Sequence, residues 1–202
     1  QETNRAENDS RVDTRALREI YLKGYEITVK ESQPWTIMSS YNKLDGEYTQ
    51  QSYDLLTKIL RDEWGFEGIV MTDWGNKEGT VKAVAAGNDL MMPGSTVEVQ
   101  RIVDAVKSGE LSEADLDRNV RNMLNYIVKT PHFRNYKYSD TPDLKAHAKV
   151  ARAAATESMV LLKNDDNVLP LKGTETVAMF GISSVDFVAG GTGSGNVNKA
   201  YV

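Results

Sequence analysis

The run Gly68-Ile-Val-Met-Thr-Asp73 constrains this chain more than any other segment: it is apolar, of strand length, and ends on a carboxylate. A strand buried on both faces reads as a continuous hydrophobic run, which is the pattern of a parallel sheet covered by helices. A carboxylate closing such a run has to be solvated or paired, so Asp73 belongs at the open carboxyl end of the strand. In α/β folds that edge is where ligands bind. The competing role for Asp73 is to cap the helix that follows.

The flanking segments repeat the alternation. Leu17, Ile20, Tyr21, Gly24 and Tyr25 recur at helical spacing from Asp13 until Pro34 interrupts. Trp35 to Tyr41 reads as a strand, with a turn at Leu44 to Gly46. Leu55, Leu56, Ile59, Leu60 and Trp64 share one helix face, and Gly65 supplies a left-handed stop. After Asp73 the pattern predicts a helix from about Lys77 to Ala86, a short strand Asp89 to Met92, and a helix over about Thr96 to Lys107. A last helix carries Leu116, Val120, Met123, Leu124 and Ile127, opens with Ser112 and Asp115 in capping-box positions, and stops before Pro131. Alternation of this kind predicts parallel strands, in an open doubly wound sheet or a (β/α)8 barrel.

His132 to Thr141 is aromatic, polar and aperiodic, so a linker is placed at 132–143 between a first domain (1–131) and a second (144–202). In the second, Leu144 to Leu162 reads as an Ala-rich helix, Asn164 to Asn167 as a turn and Thr176 to Gly181 as the first strand of another α/β unit. Gly190-Gly-Thr-Gly-Ser-Gly195 is a glycine-rich loop without the Lys-Ser/Thr of a phosphate cradle.

Composition narrows the chemistry. The chain has 202 residues, 40% of them apolar, enough for a real core. Its 24 basic residues are scattered among 29 acidic ones, for a net charge of −5, which gives no electrostatic footprint for nucleic acid. There is no cysteine, hence no disulfide, thiolate metal site or cysteine nucleophile. His132 and His147 stand apart, so no catalytic metal is expected, and no cofactor. No apolar run approaches the ~20 residues that span a bilayer. Residues 1–11 are polar and lack the apolar core of a signal peptide, and the compartment is not legible.

The stretch Ile37-Met-Ser-Ser-Tyr-Asn42, Gly46, and Leu56 through Trp64-Gly-Phe-Glu-Gly68 to Asp73-Trp74 closely resembles the nucleophile-bearing segment of glycoside hydrolase family 3. The resemblance runs back to Gln1-Glu-Thr-Asn-Arg5 and Arg15 to Leu22. It runs forward through Met91-Met-Pro-Gly94, Glu157 to Asn164 and Leu169-Pro-Leu171 to the glycine-rich loop, so it covers essentially the whole chain. Thr72 stands where many relatives have serine, and Asp45 where asparagine is usual.

The resemblance implies an α/β chain forming the C-terminal part of a (β/α)8 barrel and the beginning of an α/β sandwich domain. It implies a retaining exo-acting β-glycosidase, most simply a β-glucosidase, in which Asp73 attacks the anomeric carbon. Trp74 would line the sugar site, Arg5, Met38 and Tyr41 would contact the glycone or the nucleophile, and Ser194 would touch substrate. Arg5 and the Tyr41 hydroxyl would supply positive charge and a hydrogen bond to the carboxylate. Such chemistry needs a second carboxyl as acid/base. The resemblance puts that group beyond Val202, and a lysine–histidine pair before Gln1. The chain is therefore expected to be a fragment, inactive alone, whose partners are a β-glucoside or oligosaccharide and the remainder of the same enzyme. Two other readings stay open, a β-xylosidase of the same family and a non-catalytic sugar-binding relative; a (β/α)8 lyase or aldolase using Asp73 as a base would show a Schiff-base lysine or metal carboxylates at strand ends, and the sequence offers neither.

Overall fold

In the computed structural model, which describes residues 3–75, 79–186, 190–191 and 193–196, two parallel strands and a third bridging position follow one another in chain order. Strand β1 (Asp9–Ser10) precedes helix α1 (Thr14–Ala16), capped by the Asp13 side chain, which accepts from Ala16 N at 3.0 Å. A wider π-helical stretch, Leu17–Tyr21, leads into α2 (Lys23–Ser32). Strand β2 (Thr36–Met38) follows, then the short strands β3 (Lys43–Leu44) and β4 (Glu47–Tyr48). A π-helix, Asp54–Glu63, leads into β5 (Ile69–Met71). Helices α3 (Thr80–Ala86), α4 (Thr96–Ser108) and α5 (Glu113–Lys129) complete this part.

Strands β2 and β5 pair in parallel in the register Thr36↔Ile69, Ile37↔Val70 and Met38↔Met71, and Met71 bridges in parallel to Leu90. The chain is thus an α/β fold, its strands linked by helices as the alternation predicts. The expected strand Asp89 to Met92 is reduced to that one bridge. Leu44 to Gly46 proves to be more than a turn, since β3 and β4 form a hairpin with Asp45 and Gly46 both at positive φ (50° and 95°). Asp-Gly suits that two-residue loop because it tolerates left-handed backbone twice in succession. Strand β3 also pairs in parallel with β1.

Apolar burial concentrates on the inner faces of the helices. Val29, Leu56, Leu60, Phe66, Val70 and Ala86 form one cluster, and Val84, Ala105 and Leu111 another. Gly68 lets the strand approach its neighbour, because a Cβ there would come within 2.8 Å of Pro34 O and closer still to Trp35 O. Gly65 has φ +73°, the left-handed stop expected of it. At the expected capping box Ser112 accepts from Ala114 N at 3.2 Å while Asp115 turns to Arg118. At the start of α4 the Ser95 hydroxyl accepts from Glu98 N at 3.2 Å and donates to the Glu98 carboxylate at 3.0 Å.

The stripe of Ile20, Tyr21 and Tyr25 is more than half exposed. With Leu17, Leu22, Ile37, Leu55 and Ile59, the two tyrosines line an open cavity of about 590 Å³. The amphipathic pattern is present, but among the described residues only part of it has found a partner surface.

The chain divides into two compact units, Gln1–Tyr138 and Ser139–Val202. In the second, α6 (Leu144–Glu157) is capped by Asp143, and residues 159–162, expected to continue it, are exposed and non-helical. Thr176 to Gly181 forms no strand, since a ladder needs a neighbouring strand and none is paired with it among the described residues. The start of the expected helix at Lys77, Thr192 of the glycine-rich loop, and Gln1 and Glu2 fall outside the described residues.

Candidate active site

Asp73 follows β5, two residues beyond Met71, at the carboxyl end of the parallel strands. Its position is held from both sides. Asp73 N donates to Ser39 O at 3.1 Å, continuing the β2–β5 ladder. Before it, the fully buried Thr72 donates its N–H to Leu90 O at 3.0 Å, and its hydroxyl accepts from Met92 N at 2.8 Å. After it, Gly75 N donates to Met92 O at 2.8 Å. A carboxylate between two such clamps cannot slide along the strand direction.

Four of the six residues singled out from sequence come together here. Trp74 N donates to Asp73 Oδ1 at 2.6 Å, turning one carboxylate oxygen back onto the chain. The Tyr41 hydroxyl donates to Trp74 O at 2.8 Å. Burial pushes the Tyr41 phenol above its ordinary pKa, and the adjacent Asp73 carboxylate, which interacts with the hydroxyl, pushes it the same way. The phenol therefore stays a neutral donor. The Arg5 guanidinium lies 5.6 Å from the centre of the Tyr41 ring, a cation–π distance. Trp74 is 64% exposed, its indole available as an apolar face beside the carboxylate.

Met38 is in β2 opposite Met71 and is 58% exposed; it lines the open cavity, whose lining does not include Asp73. Ser194 lies in the second unit, exposed, in the one-turn helix Gly193–Gly195, which Gly191 N closes by donating to Gly195 O at 2.7 Å.

Sequence reasoning missed the buried polar residues beneath the carboxylate. Ser39, Thr72 and Asn88 are all buried and hydrogen-bonded. The Ser39 hydroxyl donates to Asn88 Oδ1 at 2.8 Å, and Asn88 Nδ2 donates to Gln50 O at 2.6 Å and Ala83 O at 2.8 Å. Next to it, the Asp89 carboxylate accepts from Arg61 at 2.6 Å, Val70 N at 2.8 Å and Asn122 at 2.9 Å. Burial pushes Asp89 upward in pKa, opposed first by Arg61, and burial likewise pushes Arg61 downward. Asn88 follows a helix-stopping glycine and Asp89 opens the expected strand, and hydropathy cannot distinguish such polar residues facing inward from the same residues facing water.

The arrangement is a fixed carboxylate at an open strand end, flanked by a neutral phenol, a nearby guanidinium and an exposed indole. Such a set can present a nucleophilic or basic oxygen to a polar ligand with an apolar face.

Comparison with known proteins adds to this geometry. A family model described as the glycosyl hydrolase family 3 N terminal domain matches residues 3–126. Thermostable beta-glucosidase B of Acetivibrio thermocellus is 47% identical over 182 residues, 90% of this chain and 24% of that protein. An exo-alpha-(1->6)-L-arabinopyranosidase of Bifidobacterium breve is 48% identical over 174 residues, 85% of this chain and 22% of that protein. The solved structure of beta-glucosidase 3B from Thermotoga neapolitana in complex with glucose matches with a TM-score of 0.87 at 50% identity, covering 100% of this chain and 29% of that one. The chain spans about a quarter of the length of these curated relatives.

Proposed function

Because this chain belongs to glycosyl hydrolase family 3, we propose that it is the nucleophile-bearing segment of a retaining β-glycosidase, most simply an exo-acting β-glucosidase. Residues 1–131 would then be the C-terminal part of a (β/α)8 barrel, 132–143 a linker, and 144–202 the start of an α/β sandwich domain. The observation that carries the reading is Asp73 itself, held at the carboxyl end of a parallel strand by the backbone bonds of Thr72, Asp73 and Gly75, with the Tyr41 phenol bonded to the next residue's carbonyl and the exposed Trp74 directly following.

The chemistry is double displacement. Asp73 forms a bond to the anomeric carbon as the bond to the leaving oxygen breaks, and a second carboxyl protonates that oxygen. Water, deprotonated by the same second carboxyl, then displaces Asp73 and returns the sugar with its configuration retained. The second carboxyl and the rest of the pocket come from other parts of the enzyme. Trp74 covers the C–H face of the sugar, and Arg5, Met38, Tyr41 and Ser194 contact the glycone or the nucleophile.

The glucose complex of the Thermotoga relative favours a glucoside over a xyloside. The arabinopyranosidase, of almost the same identity as the β-glucosidase, supports a second reading in which the glycone is an arabinopyranosyl residue.

The test is to incubate the full-length enzyme with a 2-deoxy-2-fluoro-β-glucosyl fluoride, digest it and locate the added sugar by mass spectrometry. Label on the peptide containing Asp73 is the expected result. Label elsewhere, or none while glucosides still turn over, overturns the assignment. Parallel rates on aryl β-glucoside, β-xyloside and α-L-arabinopyranoside separate the glycones.

A further inference from the structure

We infer that Ser39 and Asn88 are positioning residues for Asp73, setting the angle and depth of its carboxylate through a buried relay that never touches substrate. The inference rests on the reading of Asp73 as nucleophile.

The relay can be followed bond by bond. Asp73 N donates to Ser39 O at 3.1 Å, so the nucleophile's backbone is fixed by the backbone of Ser39. Ser39 is fixed in turn at both ends: its N donates to Met71 O at 2.9 Å, and its hydroxyl donates to Asn88 Oδ1 at 2.8 Å. The same hydroxyl has a second acceptor, Met71 O, only at 3.4 Å, so its single proton goes to Asn88. Asn88 is 1% exposed and spends both amide protons on main-chain carbonyls, Gln50 O at 2.6 Å and Ala83 O at 2.8 Å. Its own carbonyl is held by Asn119 Nδ2 at 3.0 Å, and Asn119 also grips Val84 O at 2.8 Å.

The Asn88 amide thus joins three parts of the chain, the end of β2, the turn after β4 and the end of α3, and its main-chain carbonyl adds a fourth, helix α5, through Asn119. Among common side chains, only a short amide supplies one acceptor and two donors at this distance from the backbone. In a site closed to water these bonds have no competing partner, so losing one leaves a buried polar atom unsatisfied and lets the backbone relax around it. The relaxation is transmitted to Asp73, because Ser39 O is the acceptor of its N–H. Misplacement of a reacting group by a fraction of an ångström to 1 Å costs up to about 100-fold in rate. Substrate contacts are left alone.

The experiment is Ser39→Ala in the full-length enzyme, with competent sites counted by 2-fluoro-glucoside trapping and kcat expressed per trapped site. The expected result is label at Asp73, a kcat per trapped site lowered about 10- to 100-fold, and KM within about twofold of wild type. A wild-type kcat per trapped site, even with fewer sites, means that Ser39 only stabilises the fold, and overturns the inference. If Ser39→Ala does not fold, Ser39→Cys, which keeps a weaker donor, is expected to show an intermediate kcat per trapped site, and a wild-type value overturns the inference equally. Failure of the wild type to label at Asp73 overturns the reading of the nucleophile, and the positioning role with it; label with unchanged kinetics overturns the positioning role alone.

Discussion

Tyr41 joins the backbone of the site to its charge. Its hydroxyl donates to Trp74 O while facing the Asp73 carboxylate, and its ring lies under Arg5. Tyr41→Phe keeps the ring and removes the donor. It is expected to cost about 1 kcal/mol of stability and to lower kcat/KM roughly tenfold, checked by denaturant titration and by steady-state kinetics on an aryl glucoside. The pH dependence has a definite sign. Burial and the carboxylate raise the folded pKa of the phenol above its ordinary 10.0. The fold therefore favours the neutral form, and that contribution is complete below pH 10 and lost as pH rises through the folded value. An alkaline limb in unfolding should shrink in Tyr41→Phe. Asp73 was legible in the sequence because a carboxylate ends an apolar run there, whereas Arg5, Tyr41 and Trp74 were singled out only through the family resemblance. Ser39, Thr72 and Asn88 were not legible, because a buried hydroxyl or amide has the same letter as an exposed one, and only its partners reveal its role.

Among the elements, α2 and the α3–α4 connection show two kinds of charge. Glu26 lies between Lys23 at 2.6 Å and Lys30 at 2.7 Å, and their ammonium groups, Lys23 first, hold its carboxyl down at about 2. Its contribution to α2 is present above the ordinary value of 4.5 and lost as pH falls towards 2. Because the cluster is on the surface, 1 M salt should weaken the effect. Circular dichroism of Glu26→Gln between pH 5 and 2 is expected to lose that part of the acid transition. Asp89 is the opposite case, its side chain 0% exposed against an Arg61 side chain 11% exposed. Asp89→Ala strands the guanidinium and is expected to destabilise the chain by about 3–5 kcal/mol in urea denaturation. The alternation of helices and strands was legible because period and apolar run length encode it directly. The hairpin at Asp45-Gly46, the single-residue bridge at Leu90 and the coil at 176–181 were not, since pairing depends on what lies alongside rather than on the segment itself.

At the scale of the molecule, the 590 Å³ cavity and the half-exposed tyrosines of the first helical stretch show apolar surface still open to solvent among the described residues. Together with a single candidate nucleophile, this leads us to expect purified 1–202 to hydrolyse no aryl glucoside under conditions where the full-length enzyme does; clear turnover by the isolated chain would contradict the need for a second carboxyl. The three tryptophans are unequally placed. Trp64 is half-buried against the core, Trp35 meets Tyr126 edge-on at 6.3 Å, and Trp74 stands out into water beside Asp73. An indole in water emits further to the red than one covered by a ligand, so a sugar seated on Trp74 should blue-shift the emission of an enzyme lacking its other fluorophores, and Trp74→Phe should abolish the change. On the proposed reading of Trp74 as a sugar-site residue, its exposure makes it an intrinsic optical gauge of occupancy, readable by titration without a coloured substrate.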